Sequence, residues 1–237
     1  MSSLNLYKKY ESGYRRHGKN YQRKYPNEEL CRFIGRKFNQ VKNKKKIKIL
    51  EVGCGPGGNL WMLASEGFKT YGIDYSPASI QLAKKNLKER KLKADIKVSD
   101  MTKLNYQNNY FDVIIDIFSS CHLNHNEGEL FIKTTSSKLK KGGIFFSYFP
   151  SKKSLMFNSK YKKKLVDKNT IGKIFNKKQI YGNSVLPMRF LNMGEYNNLL
   201  KKYGLYPIYN ETITKTYKNG KDFFIFNVIE AIKKKIL

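Results

Sequence analysis

Ile49-Leu-Glu-Val-Gly-Cys-Gly-Pro-Gly-Gly-Asn59 is the stretch that decides how this chain folds. Its first half continues Ile47-Lys48 into a short apolar, β-branched run, which reads as a buried strand over Ile47–Val52. Glycines at 53, 55 and 57 then break the strand, and a helix is expected over Asn59–Glu66, closed by Gly67 as its C-cap. A glycine loop between a strand and a helix lets the backbone turn sharply and lie against a ligand with no Cβ in the way. The amides at the helix start can then face an anionic group. Taken alone, the loop suits any nucleotide.

The same alternation extends on both sides. Strands are expected at Thr70–Asp74, Asp95–Ser99, Phe111–Phe118 and Ile144–Phe149, the last stopped by Pro150. Ser76 and Pro77 supply an N-cap and a first-turn proline for a helix that presents Ile80, Ala83 and Leu87 on one face. A helix over Gly128–Leu139 leads to a turn at Lys140–Gly143. This β-α-β-α order predicts an α/β fold with a doubly wound, mostly parallel sheet. Upstream, Pro26 opens a helix over Asn27–Phe38, with Leu30, Phe33, Ile34 and Phe38 on one face. Downstream, a helix over Met193–Tyr203 ends at Gly204. The strands Leu205–Thr214 and Asp222–Ala231 then form an antiparallel hairpin around Lys218-Asn-Gly-Lys221. The expected organisation is one domain over residues 1–237. Residues 1–40 form an N-terminal helical lid, and the lysine-rich, weakly periodic 150–190 an insertion over the substrate site. Residues 1–25 are basic and tyrosine-rich and show no clean periodicity.

Two carboxylates define the ligand further. Asp74 ends the second strand, where it lies beside the glycine crevice and can accept both hydroxyls of a ribose. Asp100 follows the third strand and can accept from an adenine amino group, with Met101 packed on the ring. A nucleoside ligand follows. The spacing Glu51-x-Gly-x-Gly-x-Gly57 and the closing hairpin both differ from a dinucleotide-binding unit.

Over roughly residues 45–235 the chain resembles the class I S-adenosylmethionine-dependent methyltransferases of the Rossmann-like, small-molecule type. The matching motifs are Glu51–Gly57, Gly72-Ile-Asp-Tyr-Ser76, Ser99-Asp-Met101, Phe111-Asp-Val-Ile-Ile115 and Leu139-Lys-Lys-Gly-Gly143. The resemblance implies seven strands with the last one antiparallel, and S-adenosyl-L-methionine as cofactor. It places Gly53, Cys54 and Gly55 against the methionine and ribose, with Glu51, Gly57 and Asn59 completing the loop. Asp74 would hold the ribose, Tyr75 flank the adenine, and Asp100 and Met101 bind its edge. Backbone at Asp116, Ile117 and Phe118 would meet the methionine. A small space-filling role for Cys54 and a loop-ordering role for Glu51 are the alternatives. His122, just beyond the fourth strand, matches a histidine common in small-molecule members and suits a general base. His17 and Arg189 are candidate substrate contacts, Arg189 for a carboxylate or phosphate.

Composition bounds the partners. The formal charge is +29, from 47 basic and 18 acidic residues. Such an excess suits nucleic acid. Yet only seven of the cations are arginines, and lysines are spread over the whole chain, as AT-rich codon bias would produce. The three cysteines have no metal-ligand spacing, so no metal site or disulfide framework is expected. No signal-like segment and no apolar run near ~18 residues is present, which gives the expectation of a soluble cytoplasmic protein with no membrane partner. The leading functional expectation is methylation of a small molecule, neutral or anionic, on oxygen, with a sugar or sugar-acid acceptor. That acceptor rests on a short resemblance of Lys19–Leu30 to methyltransferases of bacterial surface-sugar pathways. An RNA methyltransferase is the alternative, and a cofactor-binding protein without catalysis a third reading.

Overall fold

Strand β1 (Lys48–Val52) is buried from Ile49 onward, as a strand covered on both faces must be, and the sheet grows outward from it. The computed structural model describes residues 3–21, 24–158, 163–174 and 187–234. On one side β1 pairs in parallel with β2 (Lys69–Asp74), which pairs with β3 (Asp95–Val98). On the other side it pairs with β4 (Phe111–Ile117), and β4 with β5 (Leu139–Pro150). The long hairpin of β9 (Leu205–Tyr217) and β10 (Asp222–Lys233) completes the sheet, with β10 antiparallel to β5. The order is β3-β2-β1-β4-β5-β10-β9, seven strands in all. The parallel strands are added outward from β1 to one side and then, from β4, to the other, so the crevice opens above the carboxyl ends of β1 and β4.

Helices α2 (Glu28–Phe38), α3 (Leu60–Ser65), α4 (Pro77–Glu89), α5 (His125–Lys138) and α7 (Met193–Lys202) cover the sheet. Helix α2 is capped by Asn27, whose side chain accepts from the amides of Glu29 and Leu30. Its apolar face packs Phe33 on Phe146 at 4.7 Å between ring centres. Helix α5 starts three residues earlier than the sequence suggested, because Asn124 and Glu127 form a reciprocal capping box there. Lys140–Gly143 is not a free turn. The register of β4 and β5 jumps from Phe111–Leu139 to Val113–Ile144, and the extra residues bulge out of β5 with Gly142 at φ +81°. Among the described residues no helix is long and apolar enough to cross a membrane.

The N-terminal segment is more regular than its composition suggested. Ser3–His17 form the helix α1, with Tyr7, Tyr10 and Tyr14 at i, i+3 and i+7. Glu11 fixes it. One carboxylate oxygen accepts from the Ser76 hydroxyl at 2.5 Å and from the Ala78 amide at 3.1 Å, at the start of α4, and the other pairs with Arg15 at 2.7 Å. A carboxylate at a helix N-terminus satisfies orphan amides and meets the positive end of the dipole. Within the expected insertion, the short helix α6 (Leu155–Asn158) precedes a small antiparallel sheet of β6 (Lys163–Asp167), β7 (Thr170–Ile174) and β8 (Met188–Arg189). Residues 159–162 and 175–186 lie outside the described residues.

Strand β8 turns the Arg189 side chain inward, where it is 1% exposed. Its guanidinium lies over the Phe149 ring, 5.4 Å from the centre, and against Gly128 of α5. A Cβ on Gly128 would lie 1.9 Å from Arg189 Nη1. Gly128→Ala is therefore expected to destabilise the fold by about 1–3 kcal/mol through overpacking. Gly35→Ala, on α2 with nothing near its added Cβ, is expected to stabilise by about 0.5–1 kcal/mol. Urea unfolding of the two variants checks both signs.

Candidate functional site

The loops after β1 and β4 meet directly. Gly53 has φ +64°, and a Cβ there would lie 1.7 Å from Ser119 Oγ, so only glycine fits. Two cavities open around this contact. One, of about 260 Å3, is walled by Glu51, Gly53, Asn59, Asn27 and Tyr25. The other, of about 210 Å3, is walled by Asp74, Tyr75, Asp100, Met101, Tyr7, Tyr14, His122 and Leu123. Tyr10, Gly53, Ile117 and Phe118 line both, so they stand at the junction.

At one end, Glu51 is 2% exposed. Its Oε1 accepts from Asn59 Nδ2 at 2.5 Å, and Asn59 Oδ1 accepts from the Asn27 amide at 2.8 Å. Glu51 Oε2 is buried with no partner. Burial pushes the Glu51 carboxyl up to about 8, against the lowering hydrogen bond from Asn59. Cys54 lines the first cavity too, and its thiol packs with Leu60, Ile80 and Ala83, where burial pushes it well above the usual thiol range.

At the other end, Asp74 Oδ2 accepts the Gly55 amide at 2.9 Å and Oδ1 the Ser76 amide at 2.8 Å. Burial raises this carboxyl while those amides hold it down. Each oxygen keeps a further lone pair for a ligand hydroxyl. Asp100 accepts from the amide and hydroxyl of Thr102, both at 2.8 Å, which fixes its orientation. Tyr75 is 53% exposed, edge-on to Tyr7 at 4.9 Å. Gly57 (φ +82°) packs on Ala83 of α4.

The turn after β4 is held from below. Asp116 is fully buried, and its carboxylate accepts from the amides of Ser119 and Ser120 and from the hydroxyls of Ser120 and Ser147. The side chain therefore anchors the turn, and Ile117 and Phe118 line both cavities while Asp116 lines neither. That anchoring sustains Phe118 at φ +55°, a conformation costing a bulky residue about 1–3 kcal/mol.

His122 sits at the end of this turn, with both ring nitrogens engaged. Nδ1 lies 2.8 Å from the Pro187 carbonyl and Nε2 2.9 Å from the Tyr10 hydroxyl. A carbonyl can only accept, so Nδ1 carries the proton and Nε2 accepts from Tyr10. Burial lowers the His122 pKa, against the Pro187 hydrogen bond, so the ring is neutral at pH 7. Burial likewise pushes the Tyr10 phenol well above its usual range.

Two expected substrate contacts lie elsewhere. His17 is exposed at the end of α1, stacked on Tyr21, and lines neither cavity. Arg189 is buried beneath α5, with Nε and Nη2 unpartnered, and also lines neither. Its guanidinium is taken up instead against Gly128 and the Phe149 ring. Among the described residues no lysine or arginine lines either cavity. The sequence reading missed Tyr7, Tyr10, Tyr14, Asn27 and Ser119. For the tyrosines a signal existed in their helical spacing; for Asn27 and Ser119 none did, because only the tertiary fold brings them to the loop.

Residues 49–143 match the family model described as a methyltransferase domain. The chain has the class I methyltransferase fold. A ubiquinone biosynthesis O-methyltransferase from Pelagibacter ubique is 39% identical over 102 residues, covering 43% of this chain and 41% of that protein. The chain thus matches less than half the length of this curated relative. Among solved structures, a SAM-dependent methyltransferase from Methanosarcina mazei superposes with a TM-score of 0.68 at 19% identity, over 83% of this chain and 95% of that one. The 1,6-didemethyltoxoflavin-N1-methyltransferase of Burkholderia thailandensis, solved with S-adenosylhomocysteine, also gives 0.68, at 13% identity, over 98% and 89% of the two chains. These similarities show the fold, seven strands and hairpin included. The site fits the cofactor of that family. An orphan carboxylate oxygen suits an ammonium, a glycine cradle admits close approach, and Asp74 is poised for a diol.

The orphan oxygen of Glu51 gives a pH dependence. An ammonium group beside it requires the ionised carboxylate, so below about pH 8 binding must release a proton. Affinity for S-adenosylhomocysteine is expected to rise as pH increases, by up to about tenfold per unit, and to level off above pH 8. Calorimetry across pH checks this, and Glu51→Gln is expected to abolish the slope.

Proposed function

We propose that this chain is an S-adenosylmethionine-dependent methyltransferase that methylates a hydroxyl oxygen on an uncharged aromatic small molecule. The observation that carries the acceptor class is the wall beyond the junction. Tyr10 and Phe118 lie against the neutral His122, Tyr7, Tyr14 and Leu123 line the same cavity, and no cation is among the described lining residues. A sugar acid would need a positive partner, and Arg189 is buried away from the cavity. The aromatic faces of that wall suit an aromatic ring. The small volume of this cavity favours a small molecule over a polynucleotide. Relatives named O-methyltransferases support oxygen as the accepting atom.

Glu51 and Asn59 would take the amino-acid end of the cofactor, Asp74 the ribose, and Asp100, Met101 and Tyr75 the adenine. The bound cofactor supplies an activated methyl group. The protein's task is then to place the acceptor in line, exclude water and remove one proton. The tyrosines of α1 do the first two, which gives the N-terminal segment the role of a lid. His122, neutral at pH 7, takes up the proton.

Incubation of the purified protein with isotopically labelled methyl donor and a set of acceptors tests this. The set comprises 4-methylcatechol, 3,4-dihydroxybenzoate, glucuronate and total RNA. Methylation of the neutral catechol is expected, at least tenfold faster than of the carboxylated or sugar acceptors. Preferential labelling of RNA would instead favour the basic surface as the substrate-binding face and sink the small-molecule reading. His122→Ala is expected to lower kcat about 10²–10⁴-fold, with S-adenosylhomocysteine affinity unchanged within about twofold.

A further inference from the structure

We infer that Tyr10 is a catalytic residue, the hydroxyl that carries the acceptor's proton to His122. The inference rests on the reading of this site as an O-methyltransferase. His122 cannot meet the acceptor directly, because Pro187 occupies Nδ1 and Tyr10 occupies Nε2. Tyr10 stands where the two cavities join, between the wall of Glu51 and Asn59 and the wall of Asp74 and Asp100. A ligand spanning both walls has its centre at that junction, and the centre of S-adenosylmethionine is its sulfonium. The Tyr10 oxygen is thus the described side-chain hydroxyl that both faces the reacting region and hydrogen-bonds the base.

The helix holds it there. Glu11, the next residue, is bonded to Ser76 and Ala78 at the start of α4, and the ring of Tyr10 lies edge-on to that of His122 at 5.6 Å. Tyr10 is also 6.3 Å from the rings of both Tyr14 and Tyr21, which confine it.

The step balances as follows. The acceptor oxygen forms its bond to the donor methyl, and the methyl carbon–sulfur bond breaks with its electron pair left on sulfur. The acceptor O–H proton passes to Tyr10 Oη as the Tyr10 proton passes to His122 Nε2. Tyr10 ends neutral, as it began, so its phenol never has to ionise fully inside a site that disfavours the phenolate. His122 ends as an imidazolium whose Nδ1–H still donates to Pro187, and it returns its proton to solvent when the products leave.

Tyr10→Phe keeps the ring and removes the relay. With 4-methylcatechol the variant is expected to lose about 100-fold in kcat, while KM and S-adenosylhomocysteine affinity stay within about threefold. With 4-nitrocatechol above neutral pH the acceptor is already ionised and needs no relay, so the deficit is expected to shrink to within about threefold. An equal deficit on both acceptors would make Tyr10 a positioning residue and overturn the relay, as would full activity of the variant on 4-methylcatechol. Absence of turnover by the wild-type protein on either catechol would remove the O-methyltransferase reading itself, and the relay with it.

Discussion

The contact between Gly53 and Ser119 is the constraint on which the rest of the site depends. Two loops from adjacent parallel strands must touch at the carboxyl edge of the sheet, and only a residue without a Cβ permits it. On one side of this contact the chain descends through the glycines into α3. On the other it makes the turn that carries Phe118 and His122. The buried Asp116 takes four hydrogen bonds from that turn and from Ser147, which is how a left-handed Phe118 is kept in place. Ser147 reaches on to the Tyr196 hydroxyl at 2.8 Å, and Arg189 lies close enough to act as a counter-charge. A charge buried this deeply persists only with such partners. Arg189 therefore supports the site from behind rather than from within it.

The second dependence is that of the site on α1. A helix of this length lying on a surface gains little from propensity and must be held by tertiary contacts. Glu11 supplies one at the N-terminus of α4, and it does so immediately beyond Asp74. Ser76, which donates to Glu11, also donates its amide to Asp74. Asp74 and the residue that anchors α1 therefore share one short segment of backbone. Displacement of α1 would loosen the same turn that orients Asp74, so the positions of the two are coupled through Ser76.

Much of the fold was legible from residue patterns. The strand–glycine loop–helix unit, the Ser76–Pro77 cap and the closing hairpin follow from local chemistry, and each has its expected place. The misplaced boundaries share a cause. At Asn124 a capping box outweighed the apolar pattern, and at Gly142 pairing with β4 absorbed a turn sequence into a bulge. The cavity lining was legible at the ends of strands, at Glu51, Asp74, Asp100 and His122. It was not legible where a side chain's direction decides, as at Arg189, which turns inward, or where a distant segment folds over, as with Tyr10. Periodicity tells which face a residue shares. Which face meets the cavity is set by packing across the whole sheet.

The charge of the chain illustrates the same separation of scales. A +29 surface repels a cationic ligand at long range, yet the walls of the two cavities carry Glu51, Asp74 and Asp100 and, among the described residues, no lysine or arginine. Surface charges are screened over about 8–10 Å at physiological ionic strength, whereas groups in contact inside a desolvated cleft are not. The local acids therefore decide what binds. Burial raises the carboxyls of Glu51, Asp74 and Asp116 in the absence of a cation. A ligand carrying an ammonium and a sulfonium would relieve that cost at Glu51, so the site's electrostatic strain and the cofactor's charge are complementary. The lysine excess acts outside this range, on encounter and solubility.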